Sequence, residues 1–415
     1  MKKNMKIVAA LISIGLVSPM AYATNGDEMM AVGSQSTALG GTGVANYMGA
    51  DSTWANPAML GKSKGSEVVG GLVYFSPKVT NTGLPTIAAP SGNSASSTAN
   101  PSVIPDVSYS SRINDTLSYG VAMAGIAGMG VDYTGATATN TTFVAAKTTM
   151  SILRVVPTIA YNAPNYGFGF SPVLQYGSLA ISYNNGNPPA GVNPAHSADT
   201  STGYGYTLGA YFDVMPTLTV AAAYQSAIGM EYGKQLSTAG TGFGQTFADK
   251  LAQPAQMKAG VAYTMGGNIT LTADYKSIQW SSADGYKNFG WKDQTVMAIG
   301  AKYAGSGFWV GAGYNSSDNP IGEYPNGALT PAGNNGGIVN MFNNLMFPGI
   351  VKDTMTFGGG YSMSKTLDIE AAIAMSPEVT SKVDVSDAGM VAPGSISNTT
   401  THSQSAYSVS LRYKF

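Results

Sequence analysis

The chain has 415 residues, no cysteine, a formal net charge of −1 and 10% charged residues, against about 25% in soluble domains. That balance excludes a disulfide framework, thiolate chemistry and an electrostatic partner such as nucleic acid. It suits an exported chain that relies on a sheet, and the 52 glycines and 24 tyrosines suit strand bends and a membrane interface.

Residues 1–23 read as an export signal. Lys2, Lys3 and Lys6 precede an apolar run from Ile7 to Val17, and Ala21-Tyr22-Ala23 fits a small-x-small cleavage site. The run is about eleven residues, too short to span a bilayer as a helix. Residues 24–66 are rich in Gly, Ala, Ser and Thr without sustained alternation. The segment is expected to be a hatch folded inside a lumen, the alternative being a mobile periplasmic tail.

From Glu67 to Phe415 strand patterns recur. The third, Leu117 to Tyr133, contains Gly125-Ile126-Ala127-Gly128-Met129-Gly130, and its glycines permit a bulge or kink. In the fourth, Arg154 is expected inward and Leu153 outward. The ninth alternates Ile269, Leu271, Ala273 and Tyr275 with Thr270, Thr272, Asp274 and Lys276. The thirteenth sets Leu367, Ile369, Ala371 and Ile373 against Asp368, Glu370 and Ala372. The last strand sets Tyr407, Val409, Leu411, Tyr413 and Phe415 against Ser408, Ser410, Arg412 and Lys414. One greasy face and one polar face per strand is the pattern of a membrane barrel, lipid outside and water within. Short connections (near 113–115, 162–165, 215–216, 265–267, 305–306 and 362–365) alternate with long ones, the last near 377–403. An up-and-down barrel with tight periplasmic turns and long outer loops has this rhythm. The fold expected is all-β: a transmembrane antiparallel β-barrel of about 14 strands over 67–415 with an N-terminal hatch over 24–66.

Four segments, in order, carry a family resemblance. They are Ser36-Thr-Ala-Leu-Gly-Gly-Thr-Gly-Val-Ala45 with Trp54-Ala-Asn56-Pro57-Ala58-Met59, then Gln253 to Tyr263 leading into Asp274-Tyr-Lys-Ser-Ile-Gln-Trp-Ser281. Lys287-Asn-Phe289-Gly-Trp291-Lys-Asp-Gln294 follows, and then Phe347-Pro-Gly-Ile-Val-Lys-Asp353. Together they resemble the FadL-type outer-membrane transporters of long-chain fatty acids and aromatic hydrocarbons. The resemblance implies a hatch marked by Asn56, Pro57 and Ala58, and a lateral gate at a kink in the third strand over Gly125, Ile126, Ala127, Gly128, Met129 and Gly130. It implies that Lys287, beside Phe289 and Trp291, receives a carboxylate head group, the alternative being a solvated loop lysine. Ile181-Ser182-Tyr183 stands where fatty-acid members can supply an arginine, a departure that leaves room for a neutral ligand.

Ile338, Met341, Phe342, Leu345, Met346 and Phe347 form an apolar segment in a long outer loop, expected to be a capture surface. The alternative is a loop helix packed on the barrel rim. The two histidines, His196 and His402, fall in expected outer loops far apart, and no metal-ligand cluster or nucleophile elbow is present. No enzyme activity, cofactor or metal is expected. The reading is a monomeric channel in a Gram-negative outer membrane for passive uptake of hydrophobic molecules. Long-chain fatty acids are the first choice of substrate and monoaromatic hydrocarbons the second. A polar-solute porin or a surface adhesin is the alternative of another class.

Overall fold

Alternating residues close the chain into one cylinder. The computed structural model describes residues 24–83, 94–135, 146–183, 197–386 and 397–415; the export signal and His196 lie outside them. Fourteen long strands run in sequence order: β1 (Glu67–Thr82), β2 (Ser102–Arg112), β3 (Leu117–Asp132), β4 (Lys147–Asn162), β5 (Tyr166–Ser182), β6 (Asp199–Met215), β7 (Leu218–Gln225), β8 (Gln256–Met265), β9 (Ile269–Ile278), β10 (Gln294–Gly305), β11 (Phe308–Ser317), β12 (Asp353–Ser362), β13 (Leu367–Asp384) and β14 (Ser397–Lys414). Each pairs antiparallel with its neighbours, and β14 pairs with β1 from Thr399↔Thr82 to Lys414↔Glu67, so the sheet has no edge.

The pleat sorts side chains as the charge pattern requires. Leu72, Leu271, Ile369, Val409 and Leu411 are exposed on the outside, and Arg154, Glu370 and Arg412 are buried on the inside. Asp274 and Lys276 face the hatch. A charge at the mid-bilayer costs ~2–4 kcal/mol, so this facing is strongly enforced. Around the short turns the lipid face carries touching aromatic rings. Tyr109 packs on Tyr119 and Phe415, Tyr166 on Tyr161 and Phe168, and Tyr303 on Phe308. These rings form the periplasmic girdle.

The strands outrun their apolar alternation at the outer end. β13 continues to Asp384 and β14 begins at Ser397, so the last long connection is shorter than the 377–403 expected. His402 therefore lies in β14 rather than in a loop. It is buried, with Nδ1 2.7 Å from the Pro348 carbonyl.

The hatch fills the lumen from within. Short helices α1 (Ser34–Ala38) and α2 (Ser52–Ala55) and a 3-10 turn (Pro57–Lys62) are joined by loops bonded to the wall. Gly43 and Val44 N–H donate to Asp274 Oδ2 at 2.7 and 2.9 Å, Asn315 Nδ2 donates to the Gly40 carbonyl at 2.9 Å, and Thr356 Oγ1 donates to the Ala38 carbonyl at 3.0 Å. Gly40 has φ +73°, and a Cβ there would lie 2.8 Å from Tyr314 backbone atoms, so this approach to the wall requires glycine.

Candidate functional site: cavity, kink and cap

The third strand leaves the wall where its glycines cluster. β2 and β3 pair from Arg112↔Ser118 as far as Asp106↔Ala124. On the other side the register with β4 shifts between Gly125 and Ala127, leaving Ile126 as an extra residue. In–out alternation stops with it, and residues 124–129 are all buried. The hatch strand Glu28–Met29 takes the empty place. Glu28 pairs with Ala127, and Gly128 N–H donates to the Asp27 carbonyl at 3.0 Å.

Behind the kink lies a cavity of about 90 Å³. Its apolar wall includes Met29, Met30, Met48, Trp54, Ile126 and Val156. Its charged wall is balanced: Glu28, Asp51 and Asp274 against Arg154, Lys258 and Lys276. Arg154 is held by Gln175 at 2.7 Å, Gln225 at 3.0 Å and Glu28 at 3.5 Å.

Asp27 ties the kink to the outer cap. Its carboxylate accepts from Gln253 Nε2 at 3.1 Å and from the Tyr286 hydroxyl. Burial pushes this carboxyl up to about 7, opposed by the Tyr286 hydrogen bond and reinforced by Glu28. A carboxyl whose pKa is raised on folding favours the folded contact at low pH. That stability declines as pH rises from the unfolded value near 3.8 to about 7. Asp27→Asn should therefore abolish the decline, worth at most roughly 4 kcal/mol. Hydrogen exchange of peptides spanning the Gly128 contact at pH 4.5 and 8 measures it. Protection should fall with pH in the wild type and stay level in the variant.

The described parts of the outer loops pack together as a lid. Helix α3 (Gln235–Gly242) and helix α4 (Gly336–Met346) are part of it. The expected capture surface is not exposed: Ile338, Met341, Phe342, Leu345, Met346 and Phe347 are all buried. All eleven residues of the helix are buried, its three asparagines included. Its polar members bond the surroundings. Asn343 Nδ2 donates to the Phe289 carbonyl at 2.7 Å and its Oδ1 accepts from Trp291 Nε1 at 3.1 Å, while Thr400 Oγ1 donates to the Asn344 carbonyl at 2.8 Å. Phe342 meets Phe243, Phe247, Phe289 and Phe347.

Lys287 lies apart from its aromatic neighbours. The 3-10 turn Tyr286–Phe289 buries Tyr286 and Phe289 and leaves Lys287 at the surface, paired with Asp284. Three residues per turn put 286 and 289 on one side and 287 on another. Phe289 and Trp291 line the aromatic lid, so the structure separates them from the lysine. Tyr183 belongs to the same lid, its hydroxyl on the Thr238 carbonyl at 3.1 Å and its ring against Phe243.

Asn56, Pro57 and Ala58 do not sit at the kink. Asn56 Nδ2 donates to the carbonyls of Val44 at 2.8 Å and Ala210 at 3.2 Å, and Pro57 and Ala58 press on Gly169 and Gly209 of β5 and β6. The hatch residues at the kink are Asp27 and Glu28. Two adjacent acids in a segment so poor in charge were the sequence signal that could have singled them out.

A family model described as outer membrane protein transport protein (OMPP1/FadL/TodX) matches residues 16–335. The chain belongs to this family. Among solved structures, the P. putida toluene transporter TodX shares 19% identity over 93% of this chain and 99% of its own, with a TM-score of 0.66. A Pseudomonas aeruginosa FadL homologue shares 16% over 94% and 100%, with a TM-score of 0.67. The Ralstonia pickettii toluene transporter TbuX shares 18% over 93% and 99%, with a TM-score of 0.63. A search of curated proteins finds no match. As a FadL/TodX-family member, the protein is a Gram-negative outer-membrane channel for hydrophobic compounds, and not an enzyme.

Proposed function

We propose that this FadL/TodX-family channel takes up small neutral hydrophobic molecules of the monoaromatic class, in preference to long-chain fatty acids. The observation that carries the reading is the cavity, with its small volume and balanced charge. A cavity of about 150 Å³ holds benzene, and this one is about 90 Å³. A monoaromatic ring needs only some yielding by Met29, Met30 and Met48, which are flexible. A long acyl chain has more than twice the carbons of toluene and would require the hatch to leave. The wall carries three cations and three carboxylates, so an entering carboxylate finds no excess positive charge. The toluene transporters among the solved relatives accord with this reading.

The path runs from the aromatic lid to the cavity and leaves sideways past Ile126 at the kink. A lateral exit keeps the molecule in apolar surroundings, whereas an aqueous route forfeits ~0.8 kcal/mol per CH₂. Residues 1–23 are read as the removed export signal, with Thr24 first in the mature chain; N-terminal sequencing checks this.

The test is uptake of radiolabelled toluene and oleate by cells whose other such channels are deleted. Toluene should accumulate on expression and oleate should not; the reverse would overturn the reading. Lys287→Ala should leave toluene uptake within about twofold, because an exposed ion pair contributes little. A large loss confined to oleate would restore a carboxylate site at Lys287.

A further inference from the structure

The wall has a further irregularity, in a seam the kink does not touch. β4 and β5 keep one register from Lys147↔Ser182 to Asn162↔Gly167. That register sets Pro157 directly opposite Pro172. Among the described residues no backbone pair forms between Val155↔Leu174 and Ile159↔Phe170. Opposite residues in an antiparallel ladder alternately exchange two hydrogen bonds or none. The pairs at 155, 157 and 159 are of one kind. The ladder lapses around the prolines, so that kind is the bonded one, and two facing prolines supply neither N–H. The next bonded pairs are four residues apart, about 13 Å of strand. The two carbonyls lose the donors a regular ladder gives, in a wall where lipid offers none. Proline is otherwise confined to edge strands and bulges.

Two spaces border this seam, the outer one at Ile159 and Phe170, where pairing resumes. Inside, Val156 and Thr53 line the hatch cavity. The Thr53 hydroxyl contacts that of Thr158, which lies 2.7 Å from Ser171 Oγ. Outside, an apolar groove of about 600 Å³ lies along the lipid face, walled by Ile159, Tyr161, Phe168, Phe170 and Leu208. Its floor is thin at Gly169 and Gly209, where a Cβ would lie 2.2 Å from Ala58 N or 1.9 Å from Asn56 Oδ1.

We infer that the β4–β5 seam is a second lateral portal, joining the hatch cavity to the lipid-face groove and passing small neutral hydrophobic molecules into the bilayer. What passes rests on the proposed function; the opening does not. Pro157 is level with Val121 of β3, so this portal lies nearer the periplasmic turns than the kink at Ile126. The hatch contact through Thr53 makes α2 its latch.

Two variants test the portal. Thr158→Cys with Ser171→Cys staples the seam in a chain that has no other cysteine. Opposite Cβ atoms in a ladder are within reach of a disulfide. Pro157→Val with Pro172→Val restores both missing donors and seals the seam without oxidation. In nanodiscs, wild-type peptides covering residues 152–161 and 168–176, clear of the turn, should exchange amide hydrogens at least tenfold faster than those covering 368–376 and 404–412, where β13 and β14 pair continuously from Asp368↔Arg412 to Ser376↔Gln404. The valine variant should remove the difference. Toluene uptake should fall about twofold on oxidation of the staple, since the kink stays open, recover on reduction, and be equally low in the valine variant. Wild-type exchange as slow as the comparison strands, or uptake unchanged by both closures, overturns the portal. If the wild type takes up no toluene, the proposed function fails and the exchange measurement alone decides the portal.

Discussion

Replacing Arg412 with methionine is expected to free the hatch and raise ion conductance several-fold while the barrel stays closed. Arg412 is buried on β14 and binds three carboxylates. Glu67 of β1 is 2.7 Å away, Glu370 of β13 is 3.2 Å away, and Asp51 of the hatch is 3.3 Å away. One guanidinium thus fastens the hatch to three strands with its forked donors. Without it, three carboxylates share a dry site, and breaking a buried pair costs roughly 3–5 kcal/mol. Asp51 already has its carboxyl pushed up to about 6 by burial, in spite of Arg412. Loss of the cation adds to the pressure on Asp51 to leave or to take a proton. The β14–β1 ladder closing the barrel is made by backbone pairs and does not depend on this side chain. Single-channel conductance in planar bilayers and heat-modifiable gel mobility separate the two effects. Arg412→Lys should rescue only in part, since a point charge cannot reach all three partners. Adding Asp51→Asn and Glu370→Gln to the methionine variant should bring conductance back down. Wild-type conductance in Arg412→Met would show that the hatch is held elsewhere.

The sequence shows this barrel wherever lipid imposes a pattern. Leu271 and Asp274, or Leu411 and Arg412, declare their faces because hydrocarbon and hatch make opposite demands on neighbouring residues. Beyond the bilayer that demand stops. Ser397-Asn-Thr-Thr-Thr-His402 has no apolar face, yet it continues β14, which is why the last loop reads too long. The site is less legible. Gly125–Gly130 marks a weak ladder by itself, but what fills the gap is Asp27-Glu28, about a hundred residues earlier, and no local period encodes that contact. Lys287 misleads because its motif gives its neighbours without its direction, which the 3-10 turn decides. The segment 338–347 reads equally as a greasy surface or a buried helix until Asn343 and Asn344 find partners in the lid and on β14. Pro157 and Pro172 are plain in the sequence, but only the register brings them face to face.

Ile126→Trp should cut toluene uptake at least tenfold, the largest effect expected of any single apolar change in this channel. Ile126 is the residue the bulge leaves over, 5% exposed, and its side chain lines the cavity. A tryptophan there must occupy much of a space of about 90 Å³, upstream of the kink and of the β4–β5 seam alike. Overpacking of this kind costs typically ~1–3 kcal/mol. The fourteen-strand closed ladder absorbs that more readily than the hatch contact at Glu28↔Ala127, so heat-modifiable mobility should remain wild-type. Ile126→Ala works in the opposite direction, enlarging the cavity, and should leave toluene uptake equal or higher. The pair of variants separates blockage from misfolding, because damage to the kink would lower uptake in both. A folded Ile126→Trp channel with normal toluene uptake would remove the cavity from the route and leave the proposed path without its central step.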